Sequence, residues 1–180
     1  PVDTFHIILS ALASLPSLEM VELGLDVSQG SSFEHSEALK KLMMSPSLQK
    51  VYFSGFTLTG PLCRAFGEAL QEGSRIALLC LSHCSFLAGD SVNSSVLVTP
   101  ALEQNTTLTS VILRGEFHKT FYDAFAVVLL INTTLTNLEL YIPSDESQAA
   151  LLAPVFLALG MNKVLKKLKI YHFSSSAVAL

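Results

Sequence analysis

The chain has 180 residues, half of them apolar and only 14% charged, with a net charge of −4 at neutral pH. This composition excludes a disordered tail, a collagen and a coiled coil. The longest strictly apolar run is Ala124–Ile131, and Ala149–Met161 is short and broken by Pro154, whereas a membrane-spanning helix needs about 20 apolar residues; the charge gives no strong pull toward nucleic acid or an anionic membrane.

The sequence opens at Pro1, with no basic stretch, apolar core and small-residue cleavage site behind it. The expectation is a piece of a longer protein, read here as one domain over 1–180. The odd cysteine set Cys63, Cys80 and Cys84 does not suit a disulfide framework. It favours a reducing compartment, the cytoplasm or the nucleus.

One pattern recurs along the chain. It is carried by Leu18-x-x-Val21-x-Leu23, Leu48-x-x-Val51-x-Phe53, Ile76-x-x-Leu79-x-Leu81, Leu108-x-x-Val111-x-Leu113, Leu135-x-x-Leu138-x-Leu140 and Leu165-x-x-Leu168-x-Ile170. Successive starts lie 30, 28, 32, 27 and 30 residues apart. Each of 18–23, 48–53, 76–81, 108–113, 135–140 and 165–170 is expected to be a short strand. Six residues before each start stands a leucine: Leu12, Leu42, Leu70, Leu102, Leu129 and Leu159. Ten before stands Ile8, Ala38, Phe66, Val98, Phe125 or Val155. Columns four apart share one helix face, so a helix precedes every strand.

Three residues before each start stands Leu15, Ser45, Gly73, Asn105, Asn132 or Asn162. Gly and Asn there are expected to adopt the left-handed conformation that ends a helix. Thr99-Pro100 is expected to open a very short fourth helix, with Pro100 in its first turn. The loop Gly89–Ser95 before it is expected to be the most mobile internal segment.

Helices are wider than strands are spaced, about 10 Å against about 4.8 Å. Side-by-side stacking should bend the sheet, with the strands on the concave side. The register then assigns concave columns. The middle one is Glu22, Tyr52, Cys80, Ile112, Glu139 and Lys169; the next is Gly24, Ser54, Ser82, Arg114, Tyr141 and Tyr171; the first is Met20, Lys50, Leu78, Ser110, Asn137 and Lys167. Glu19, Glu22 and Asp26 make one end acidic, and Lys163, Lys166, Lys167 and Lys169 make the other basic.

The pattern resembles the leucine-rich repeat of the ribonuclease-inhibitor type, in about six degenerate units over nearly the whole chain. Leu79-Cys-Leu81-Ser-His-Cys84-Ser-Phe86 is the best match to the family's L-x-L-x-x-N/C-x-L. Elsewhere the Asn/Cys position holds Asp26, Phe56, Glu116, Pro143 and Phe173, and irregular turns are expected there. The resemblance implies an α/β solenoid, a horseshoe with a curved parallel sheet inside and helices outside. It also implies a scaffold that binds another protein. Expected contacts are Glu22, Tyr52, Cys80, Ile112, Arg114, Glu139, Tyr141, Lys167, Lys169 and Tyr171.

Other chemistry finds little support. Cys80-x-x-His83-Cys84 lacks the second ligand pair of a zinc site, so packed cysteines are expected, with no metal or cofactor. The sequons at Asn93, Asn105 and Asn132 are read as structural for the latter two, which share one slot of the repeat. No phosphate loop or nucleophile elbow occurs, and no enzyme is expected. Two further roles fit such repeats: the sensor or substrate-recognition block of a nucleotide-binding receptor or F-box protein, and a GTPase-activating regulatory domain, for which Arg114 is the sole support.

Overall fold

The computed structural model describes residues 4–24, 33–58, 60–86, 94–115, 117–143 and 149–173. The helices are α1 (Thr4–Ala13), α2 (Phe33–Met43), α3 (Gly60–Gln71), α4 (Ser94–Gln104), α5 (Lys119–Ile131) and α6 (Ala153–Met161). The strands are β1 (Met20–Gly24), β2 (Lys50–Ser54), β3 (Thr57–Leu58), β4 (Leu78–Ser82), β5 (Ser85–Phe86), β6 (Ser110–Arg114), β7 (Asn137–Pro143) and β8 (Lys167–Phe173). Six strands form one parallel sheet in the order β1-β2-β4-β6-β7-β8, and β3 pairs with β5 in a second, two-stranded sheet. The six helices pack in chain order, each against the next.

The strands begin two residues later than the sequence pattern places them and run one to three residues further. The leading apolar residue of the four inner motifs, Leu48, Ile76, Leu108 or Leu135, is buried just before its strand, while Leu18 and Leu165 at the two ends are half-buried. Within the strands the alternation holds: Val21 and Leu23, Val51 and Phe53, Leu79 and Leu81, Val111 and Leu113, Leu138 and Leu140 all join the core with the helix residues. The other face of the sheet carries no layer among the described elements. Parallel sheets are ordinarily covered on both faces; here one is left open.

The helical face is as expected in five units, with Ala38, Phe66, Val98, Phe125 and Val155 buried. In α1 it is turned by one residue. Leu9 is fully buried and Ile8 is 45% exposed. Helix α4 corrects a second expectation: it starts at Ser94, so Pro100 lies inside it. Proline there removes the N–H that would bond the Val96 carbonyl. Pro154 does fall in the first turn of its helix. The loop at 89–93, and Asp26 and Glu116, lie outside the described residues.

The turn at Phe56 is regular, against expectation. Its ring packs 4.9 Å from that of Phe53, and its backbone carbonyl accepts from the Ser85 N–H at 2.8 Å. The neighbouring unit thus ties this turn down through its backbone. At Pro143 and Phe173 the strands run on, paired with each other.

The helix ends differ from expectation in an informative way. Gly73 has a positive φ of 116°, but Asn132 and Asn162 have extended backbones with φ of −65° and −68°. Asparagine works here through its side chain. Asn132 Oδ1 accepts from the N–H groups of Thr134 at 2.8 Å and Leu135 at 2.7 Å. Its Nδ2 donates to the carbonyls of Leu102 at 2.8 Å and Asn105 at 3.0 Å in the preceding unit. Asn105 repeats this with Thr107, Leu108 and Leu70, and Asn162 with Val164, Leu165 and Leu129. Asn105 and Asn132 are buried at 4% and 5% exposure, which leaves their amides no room for a glycan in the folded chain. Asn132→Ala removes the side-chain donor to the Leu102 carbonyl and the acceptor of two N–H groups, while Thr134 still donates to the Asn105 carbonyl, so it should lower unfolding free energy by about 2–4 kcal/mol in a denaturant titration.

Candidate functional site

The open face is built by register. In-register parallel pairing aligns Glu22, Tyr52, Cys80, Ile112, Glu139 and Lys169 in one row across the sheet. Met20, Lys50, Leu78, Ser110, Asn137 and Lys167 form the row before it. Beyond it, Gly24, Ser54 and Ser82 are paired in turn, as are Ser82 with Arg114 and Tyr141 with Tyr171. The ten residues singled out from the sequence all lie in these rows.

Their environments differ. Glu22, Lys167 and Tyr171 are exposed, and Tyr52, Ile112, Arg114, Glu139, Tyr141 and Lys169 are half-buried. Cys80 departs from the expectation of an accessible contact: it is 2% exposed. Its short thiol lies in register between the longer Tyr52 and Ile112. Burial pushes its pKa up, only partly offset by the Arg114 charge.

Three side chains form a stack that no single strand's pattern reveals. The Arg114 guanidinium lies over the Tyr141 ring, 4.8 Å from its centroid. That ring stacks on Tyr171 with centroids 4.6 Å apart and planes 21° from parallel. A cation over an aromatic face is attracted by the ring quadrupole. Beside the stack, Lys169 donates to Glu139 at 2.5 Å. That bond, and a further one to Tyr171, raise the lysine's pKa.

The turn after β6 is fixed by two backbones in close approach. The His83 N–H donates to the Arg114 carbonyl at 2.7 Å. His83 has a positive φ of 50°, and Gly115 one of 107°. A Cβ on Gly115 would stand 3.0 Å from the His83 Cα, so both space and backbone demand glycine there.

The three cysteines are buried thiols. Cys84 Sγ lies 3.5 Å from the Phe53 and Ser82 carbonyls, and burial raises its pKa to about 11. Among the described residues no group of three His, Cys, Asp or Glu side chains converges as if to hold a metal ion. Nor is any described helix long and apolar enough to cross a membrane. On the helix layer, a groove between α1 and α2 is lined by His6, Ser10, Lys40, Lys41 and Met44. Lys40 is held there by Glu68 at 2.8 Å and Glu72 at 2.9 Å, which raises its pKa, the Glu68 hydrogen bond foremost.

No family model matches the sequence, and no curated protein does. Among solved structures, one described as Leiomodin-1 Actin-Binding Site 2 (ABS2) is similar in fold. It aligns with a TM-score of 0.60 and 18% identity, over 90% of this chain and 91% of that one. The likeness supports an α/β repeat-like architecture of alternating helices and parallel strands.

Three outcomes follow from the site's geometry. Gly115→Ala should cost about 1–3 kcal/mol in thermal or chemical unfolding, more than Gly24→Ala, whose Cβ meets nothing within 4 Å. All three thiols should react slowly with a disulfide reagent at pH 8 and fully once the chain is denatured. The raised Cys84 pKa also removes stability as pH climbs from the ordinary thiol value of 9.0 toward about 11, because the unfolded thiol ionises first.

Proposed function

We propose that the chain is a leucine-rich-repeat-type solenoid that binds another protein on the concave, open face of its sheet. It acts by presenting a rigid surface, without catalysis. The observation that carries this reading is the asymmetry of the sheet: helices cover one face, and the other offers an ordered row of tyrosines, charges and Ile112. Side chains fixed on paired strands lose little freedom when a partner docks. Tyrosine and arginine are the residue types that dominate such contacts. The likeness to a structure named for an actin-binding site supports a protein partner, and makes actin one candidate.

Affinity purification with three forms of the chain tests this. Ile112→Asp places a charge in the open row; Val127→Ser alters the exposed side of α5. A partner retained by wild type and Val127→Ser but lost with Ile112→Asp supports the reading. Equal retention by all three, with unchanged melting curves, defeats it. Co-sedimentation with filamentous actin, using the same three forms, decides whether actin is that partner.

A further inference from the structure

The charges on the open face are not balanced evenly. Glu139 is already held by Lys169. Lys163, Lys166 and Lys167 are exposed around β8, and none of them forms an ion pair among the described residues. Arg114 has exchanged part of its water shell for the face of Tyr141. Its Nε–H is buried and has no acceptor among the described residues. A guanidinium that has lost water without gaining an anion is incompletely satisfied, and its planar fork matches a carboxylate. The exposed carboxylates Glu19 and Glu22 lie at β1, three strands away, about 14 Å at the usual spacing.

We propose that Arg114, Tyr141 and Tyr171 are the docking point of this face, and that its occupant is an acidic, extended segment of a partner protein. A carboxylate of that segment engages the Arg114 guanidinium, and the neighbouring part of the segment lies on the Tyr141–Tyr171 shelf. Lys167 lies two strands and about four residues from Arg114, about 16 Å on strand geometry. An extended chain covers that distance in about five residues, so a second carboxylate five positions on reaches Lys167. The acidic β1 end repels such a segment and sets its direction. The proposal rests on the reading of the open face as the binding face.

The test selects a phage-displayed library of random twelve-residue peptides on the protein. Enriched peptides are then measured by fluorescence polarisation against wild type, Arg114→Gln, Arg114→Lys, Tyr141→Leu, Lys167→Glu and Tyr52→Ala, each checked for an unchanged melting curve. The expected peptides are rich in Asp and Glu. Arg114→Gln should weaken them by about tenfold or more, Arg114→Lys by less, because charge remains and the fork does not. Lys167→Glu should weaken them and flatten the salt dependence. Neutral or basic consensus peptides, or acidic ones indifferent to Arg114, overturn the proposal, as does no enrichment. If such peptides still respond to Tyr52→Ala, the open-face reading survives while this proposal fails; if they respond to no open-face change, both fail. Tighter, Arg114-dependent binding of a single-stranded oligonucleotide also overturns it, by assigning the patch to nucleic acid.

Discussion

The stacking of units depends on how each helix ends. A helix must stop, turn within three or four residues, and deliver its chain to a strand at a fixed height. At Asn105, Asn132 and Asn162 one carboxamide does this. Its oxygen receives the two N–H groups that lead into the strand, and its nitrogen binds a carbonyl at the end of the previous helix. The same side chain therefore sets the turn inside a unit and the distance between units. Threonine two positions on reinforces the link: Thr107 donates to the Ser74 carbonyl, and Thr134 to those of Asn105 and Leu108. In the early units lesser devices stand in, such as Ser47 donating to the Leu18 carbonyl and the positive φ of Gly73.

That vertical coupling holds the strands in register, and the register creates the open face. Residues thirty or so positions apart in sequence become neighbours about 4.8 Å apart. Glu139 meets Lys169, and Tyr141 meets Tyr171. Chemistry on this surface is thus written across units. A change in one unit alters the environment of the next, as the sheltering of Cys80 between Tyr52 and Ile112 illustrates.

Much of this was legible in the sequence because two periods coincide. The alternation within each motif separates inward Val111 and Leu113 from outward Ile112 and Arg114, and the recurrence near thirty residues orders the strands. The Arg114, Tyr141 and Tyr171 row could be written down from spacing alone. Its stacking could not, because a spacing says which residues are adjacent and nothing about their rotamers. The spacing places the asparagines at helix ends, but it does not tell a left-handed backbone from a side-chain cap, since both favour the same residue type. The turn of α1 and the length of α4 are not written in the spacing, which fixes neither the rotation of a helix about its axis nor the residue at which it begins.

The last strand carries a further consequence. Leu168 and Ile170 are 43% and 47% exposed, where the matching residues of the other five strands are buried. Among the described residues, β8 therefore has the thinnest apolar support in the sheet and its pairing with β7 as its main contact. Lys167, Lys169 and Tyr171 all ride on it. A ligand gripping these side chains would clamp β8 against β7, so recognition and the completion of local order become one equilibrium. The amides of β8 would then act as an internal gauge of occupancy, their exchange with solvent slowing as the face is filled.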